Sequence, residues 1–272
     1  MDLDPAAAAA GYRLVTQDTL PSTNAAALAC AINDSDSRPL WLTARMQTAG
    51  RGRRGNAWIS PRGNLYATLL LIDPGSVRQA PELSFVAALA VHDAILEPAP
   101  GLRGRLAFKW PNDVLCGGAK LAGILIEGRS LDPGLAVAIG IGVNCRHHPS
   151  QTAYPASDLA EAGVELSADN VFFALSRTMM RRLEQWRGGE GFSAVRSDWL
   201  DCAVGVGGDM RVRLPDRELF GQCQGIDESG RLLLRVTGGA LEAIAAGDVF
   251  PLGNDAGAGL RLKEKIGVDG SG

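Results

Sequence analysis

The sequence predicts an α+β protein: a mixed, largely antiparallel sheet with helices packed on it, followed by a small all-β domain. Three observations lead there. The chain has 272 residues, 46% of them hydrophobic, enough for one globular domain of ordinary size and a small second one. Up to about residue 203, apolar strand-like runs mix with helical segments in an order too irregular for a doubly wound parallel sheet. After "AVGVGG" (203–208) the texture changes to short alternating runs broken by frequent turns, the pattern of a small barrel or sandwich. The expected divisions are a disordered segment at 1–10, a catalytic-sized domain at 11–203, a β domain at 204–252 and a disordered tail at 253–272.

The elements follow from local pattern. "PSTNAAALACAIN" offers Ser22 or Thr23 as an N-cap ahead of an alanine-rich helix. "LWLTARM" (40–46) and "NLYATLLLI" (64–72) are apolar strands. "PELSFVAALAVHDAILE" (81–97) opens with proline and glutamate, as a first helical turn does, and continues with helical apolar spacing. "RLAFKW" (105–110) is a strand stopped by Pro111, and "DVLCGGAKLAGILIE" (113–127) is a hairpin turning at Gly117-Gly118. "LAVAIGIGVNC" (135–145) is a buried strand, and helices are expected near 167–187 and 191–202.

Composition narrows the function. The formal net charge is −3, whereas a dedicated nucleic-acid binder carries a basic domain or face. Five scattered cysteines, Cys30, Cys116, Cys145, Cys202 and Cys223, form no Cys-x-x-Cys. That is the usage of a reduced, cytoplasmic protein without disulfides or a zinc site. The N-terminus lacks an export signal, and no apolar run is long enough to span a bilayer.

Against that acidic background, "QTAGRGRRGNAWISPRGN" (47–64) concentrates arginine and glycine. Gly50, Gly52 and Gly55 let backbone amides approach a ligand, and Arg51, Arg53 and Arg54 suit phosphate or carboxylate. A solvated loop or a nucleic-acid contact has the same composition. No Walker loop is present, nor a G-x-G-x-x-G between strand and helix. "KWPNDVLCGGAKLAGILIE" places Lys109, Asn112, Asp113 and Lys120 around a strand end and a hairpin. Asn-Asp after proline suits a turn, and equally a hydrated Mg²⁺ over a polyphosphate. Lys120, opening an apolar strand, is either an edge charge or a partner for carboxylate and phosphate oxygens. Asn144 closes the strand "AIGIGVN"; His147-His148 are assigned to the surface. Without a Ser-His-Asp set or Gly-x-Ser-x-Gly, these groups suit an enzyme that brings two anions together, such as a carboxylate and the α-phosphate of ATP.

"STN" (22–24), the arginine loop through Tyr66, "KWPND…KLAGILIE" (109–127) and "GIGVN" (140–144) together resemble the motif series of biotin protein ligases, in order and spacing. The resemblance runs from about residue 12 to 251. It implies a class II synthetase-like biotin/lipoate ligase core and a C-terminal SH3-like β-barrel. It also implies activation of biotin by MgATP to biotinyl-5′-AMP and transfer to a lysine of a biotin carboxyl carrier protein or domain, as in acetyl-CoA carboxylase. By resemblance, Ser22, Thr23 and Asn24 would hold the ureido ring. Gln47, Arg51, Gly52 and Arg53 would line biotin and phosphate, with Arg53 also retaining the adenylate. Trp58 would pack over the closed loop, and Gly123 would lie beside biotin. Lys120 would bridge carboxylate and α-phosphate as the catalytic lysine. Lys109, Asn112, Asp113 and Asn144, with Arg51 and Arg53, would serve ATP, with Mg²⁺ near Asp113 and Asn144. The segment "TAYPASDL" (152–159), with Tyr154, is the candidate adenine contact.

Only about twenty residues precede the STN motif, too few for the DNA-binding domain of some relatives, so no operator binding is expected. Asn56-Ala57 stand where some relatives have a basic residue. Two rivals stand beside this reading: a lipoate–protein ligase, and a non-catalytic nucleic-acid-binding module. The expected partners are biotin, ATP and the carrier, with no DNA and no membrane; a homodimer is left open.

Overall fold

The computed structural model describes residues 1–33, 36–150, 152 and 154–252. The expectation for the tail at 253–272 falls outside them. Among these described residues, twelve strands form two sheets. The larger has β1 (Arg13–Leu20), β2 (Leu40–Gln47), β3 (Leu65–Ile72), β4 (Leu106–Lys109), β5 (Asp113–Cys116), β6 (Ala119–Ser130) and β7 (Leu135–Val143), in the order β1-β2-β3-β7-β6-β5-β4. Only β1–β2 is parallel, so the sheet is mixed, as expected. The sequence reading did not single out β1. Its middle residues are exposed at the sheet edge, so it lacks the apolar run that marks its neighbours.

Helix α2 (Thr23–Asn33) packs on β3 and β7. On the opposite face lie α3 (Leu83–Leu96), α4 (Ala168–Trp186) and α5 (Phe192–Leu200). Helix α3 is apolar nearly all round and is buried under α4 and α5. Phe85 meets Trp199 edge-on at 5.2 Å, and Phe108 stacks on Trp199 at 5.8 Å. Helix α4 starts with a capping box at Ser167 and Asn170.

The N-terminus corrects an expectation. Residues 1–10 read as disordered by composition, but α1 (Pro5–Ala9) forms there. Asp4 accepts from the Ala6 N–H at 2.8 Å, its own N–H donates to Ser176 Oγ at 2.9 Å, and its carboxylate pairs with Arg177 at 3.0 Å. Ala7 is fully buried. Those partners on α4 lie far away in sequence, which local composition does not register.

The second sheet is antiparallel, with β8 (Asp209–Arg213), β9 (Glu218–Ile226), β10 (Leu232–Val236), β11 (Leu241–Ile244) and β12 (Asp248–Pro251) in the order β11-β10-β9-β8-β12. Among the described residues no pairing joins β11 to β12, so the expected barrel is a five-stranded sheet without hydrogen-bonded closure. The β9–β10 turn reaches the first domain: Trp110 Nε1 donates to Gly230 O at 2.9 Å, and Arg196 Nε to Ile226 O at 2.8 Å.

Candidate active site

The cleft floor is one transverse row of the large sheet: Tyr66, Gly142, Gly123, Asp113 and Lys109 are successive cross-strand partners on β3, β7, β6, β5 and β4. Glycine inside a strand usually weakens it. Here a Cβ on Gly142 would lie 2.6 Å from Trp58 Nε1, and one on Gly123 would lie 3.0 Å from Trp58 Cζ3. One row along, a Cβ on Gly140 would collide with Asn24 Oδ1. The glycines of "GIGVN" therefore make room for Trp58 and Asn24. The cleft encloses about 870 Å³ counted to its open mouth.

A bulge aims Lys120. Leu115 pairs with Lys120 and Val114 with Ala122, leaving Leu121 as the extra residue. Strand side chains alternate, so an unbulged β6 would put Lys120 and Gly123 on opposite faces; the extra residue brings Lys120 round to the cleft. Its Nζ lies 2.6 Å from Asp113 Oδ1 and 5.3 Å from the Trp58 ring centre. Lys109 Nζ takes the other oxygen at 3.0 Å and sits 4.5 Å from the Tyr154 ring. Burial alone would raise the Asp113 carboxyl, but Lys120 and Lys109 outweigh it and hold it below the usual carboxylate range. At 2.6 Å the Asp113–Lys120 contact is a close ion pair that holds the ammonium at the cleft.

The arginine loop closes as a small hairpin. Trp58 N donates to Gly50 O at 2.9 Å, Gly52 N to Asn56 O at 2.7 Å, and Arg54 turns it in a left-handed conformation (φ 55°). Arg51 pairs with Glu127 at 3.0 Å. Arg53 reaches toward Asn112 Oδ1 at 3.4 Å and Gly247 O at 3.5 Å, and burial and neighbouring Arg54 lower its pKa. Arg54 pairs with Asp248 at 3.3 Å. Gly247 and Asp248, from the second domain, thus complete the cleft wall.

At the other end, the start of α2 is wired to β2. Gln47 Oε1 accepts from Thr23 N at 2.9 Å and Thr23 Oγ1 at 3.1 Å, while its Nε2 donates to Ser60 Oγ at 2.9 Å. Asn24 Nδ2 donates to Glu127 at 2.8 Å and to Leu125 O at 3.2 Å, and its Oδ1 accepts from Thr68 at 2.6 Å. Asn24 is therefore held mainly by the sheet. Ser22 Oγ accepts a long 3.4 Å contact from Ala25 N, which leaves its hydroxyl proton free. The Trp58 Nε1–H is buried without a protein acceptor among the described residues. Arg51, Arg53, Lys109 and Lys120 make the cleft rich in cationic donors.

Of the sequence-predicted residues, Ser22, Thr23, Asn24, Gln47, Arg51, Gly52, Arg53, Trp58, Lys109, Asn112, Asp113, Lys120 and Gly123 line this one cleft. Asn144 does not. It is buried, and its Nδ2 donates to Ser157 O at 3.1 Å, behind Lys120. A Mg²⁺ held by Asp113 and Asn144 does not fit this donor set. Both Asp113 oxygens face ammonium groups, Asn144 lies off the cleft, and no three His, Cys, Asp or Glu side chains cluster among the described residues. The sequence reading missed Glu127, Thr68, Ser60, Gly247 and Asp248. Only Glu127 carried a signal, a carboxylate ending an apolar strand run.

Two family models match the chain: the Biotin/lipoate A/B protein ligase family over residues 18–144, and the Biotin protein ligase C terminal domain over 210–250. The chain is 43% identical to a biotin–[acetyl-CoA-carboxylase] ligase of Paracoccus denitrificans over 236 residues, 84% of this chain and 96% of that protein. It is 32% identical to the bifunctional ligase/repressor BirA of Bacillus subtilis, over 87% of this chain and 73% of that one. A biotin protein ligase from Aquifex aeolicus, solved in complex with biotin and ATP, shares the fold with a TM-score of 0.74 at 24% identity, over 88% of this chain and 99% of that one. With family models matching stretches in both domains and a ligase relative 43% identical over nearly its whole length, this chain belongs to the biotin protein ligase family.

Proposed function

We propose that this protein activates biotin with ATP and transfers the biotinyl group to a lysine of a biotin carboxyl carrier protein or domain, such as that of acetyl-CoA carboxylase. A single observation carries the reading: one cleft joins the arginine loop and the Ser22–Gln47 wall and gathers the cations Arg51, Arg53, Lys109 and Lys120. Such a cleft suits two substrates that both present anionic oxygens. In the first step a carboxylate oxygen of biotin attacks the α-phosphorus, an O–P bond forms, and the bond to pyrophosphate breaks. Lys120 stabilises the carboxylate and α-phosphate oxygens as they approach; Arg53 balances the charge developing on phosphorus. In the second step the carrier's lysine amine, after losing a proton, attacks the acyl carbon and AMP leaves.

Ser22, Thr23 and Gln47 are proposed to hold the ureido ring, and Arg51 and Gly52 to close over biotin. Lys109 and Asn112 are proposed to meet the nucleotide, with Tyr154, whose ring lies 4.5 Å from Lys109 Nζ, beside them. Magnesium belongs to the nucleotide substrate, held by phosphate oxygens and water rather than by a protein cage. Trp58 and the loop shield the mixed anhydride from water. Five free cysteines fit a reducing cytoplasm, and no helix among the described residues is long and apolar enough to cross a membrane.

The test is intact mass of an apo biotin-carrier domain after incubation with the protein, biotin and MgATP. A gain of one biotinyl group, lost or slowed by about 10²–10³-fold in Lys120→Ala, is expected. Modification of a lipoyl domain by lipoate instead would move the protein to lipoate ligation, and no gain with either would refute ligation.

A further inference from the structure

Asn64, which immediately precedes β3, has no place in the chemistry above, yet it is buried and fully engaged. Its Oδ1 accepts from three successive backbone N–H groups, Cys145 and Arg146 at 2.9 Å and His147 at 3.1 Å, while its Nδ2 donates to His147 O at 2.7 Å. Three converging amides form a concavity that ordinarily takes an anion; here a side-chain oxygen fills it and fixes the turn after β7. That turn adjoins the backing of Lys120. Ala160 N donates to Cys145 O and Leu159 N to Asn144 O, both at 3.1 Å, stitching the following segment to the turn. The same segment grips the Lys120 backbone on both sides: Lys120 N donates to Pro155 O at 2.7 Å, and Ser157 N to Lys120 O at 3.0 Å. Asn144 Nδ2 braces Ser157 O from behind.

We infer that Asn64 is a positioning residue for Lys120, acting through the Cys145–His147 turn and the 155–160 segment clamped across the Lys120 backbone. The bulge at Leu121 removes regular ladder pairing beside Lys120, so this second clamp sets where the ammonium sits. The inference rests on the proposed role of Lys120 in adenylation.

The experiment is single-turnover formation of biotinyl-AMP by the full chain, with biotin affinity measured alongside, for Asn64→Ala, Asn64→Gln, Asn64→Asp and each combined with Lys120→Ala. Misplacing a reacting group by about 1 Å costs up to about 100-fold, so Asn64→Ala is expected to slow adenylation about 10- to 100-fold while biotin affinity stays within about twofold. Asn64→Asp keeps the triple acceptor but loses the donor to His147 O, and is expected to recover part of the rate. In the Lys120→Ala background, Asn64→Ala should cost nothing further, because both act through one group. Should Asn64→Ala not fold, Asn64→Gln, which keeps the polarity but overreaches, carries the same cycle. Wild-type rates in Asn64→Ala, additive losses in the cycle, or an aspartate no better than alanine would overturn the inference. A wild type that makes no adenylate would overturn the biotin reading, and this inference with it.

Discussion

Replacing Gly142 with alanine tests the cleft floor directly. The new methyl would stand 2.6 Å from Trp58 Cε2 and Nε1 and 2.8 Å from Cζ2, against about 3.5–4.0 Å for carbon atoms at rest. The backbone cannot give way, because β7 lies between β3 and β6 and is hydrogen-bonded on both edges. Trp58 must therefore lift by about 1 Å, and overpacking of this kind costs about 1–3 kcal/mol. Trp58 closes the arginine hairpin through its N–H to Gly50 O, so the cost falls on loop closure. At about 1.4 kcal/mol per decade, closure should weaken about 5- to 140-fold. Two readouts are expected to move together: the half-saturating biotin concentration rises within that range, and trypsin cuts faster after Arg51, Arg53 and Arg54, as read by mass. In a Trp58→Ala background the same substitution should cost little. A folded Gly142→Ala protein with wild-type loop protection and biotin dependence would refute the reasoning.

Three further outcomes are expected. Arg53→Gly should still form adenylate but release it, which a rise in labelled bystander lysines on a non-carrier protein would reveal by mass. Glu127→Gln keeps an acceptor for Asn24 but removes the charge opposite Arg51; part-exposed pairs are worth about 0.2–1 kcal/mol, so loop proteolysis should rise no more than about fivefold with the melting temperature nearly unchanged. Burial alone would lower the His92 pKa, but Asp93 and Cys202 outweigh it and raise it to about 9. Because the folded value exceeds the ordinary ~6.5, this stabilisation is full below about pH 6.5 and is lost as pH rises through about 9, with a magnitude on the order of 3 kcal/mol. Denaturant melts from pH 6 to 10 should show that slope, and His92→Gln should flatten it.

Much of the fold was legible because most of its elements carry their own signals. The strands of the sheet interior are apolar runs, the β5–β6 turn is Gly117-Gly118, and α4 carries its cap in Ser167 and Asn170. What escaped was set by distant partners. Strand β1 is an exposed edge recognisable only by its parallel pairing with β2. Helix α1 is held by Ser176 and Arg177, more than 170 residues away.

The site divides the same way, and the division explains why the motifs are spaced as they are. Each motif announced a chemical type, but the register between strands decided its job. Lys120 belongs to the cleft because Leu121 bulges, and Asp113 meets it because β5 and β6 pair Asp113 with Gly123. Asn144, one residue past β7 in a motif that reads as ligand-binding, is turned away into the brace behind Lys120. The glycines beside it act by absence, leaving space that Trp58 and Asn24 fill. The second domain enters through Gly247 and Asp248 against Arg53 and Arg54, and through Gly230 against Trp110. Both segments that bring charge to the cleft, the arginine loop and the Lys109–Asp113 turn, are thereby anchored on the β domain. The arginines and the lysine–aspartate cluster thus share one neighbour, the second sheet, although they come from segments more than forty residues apart.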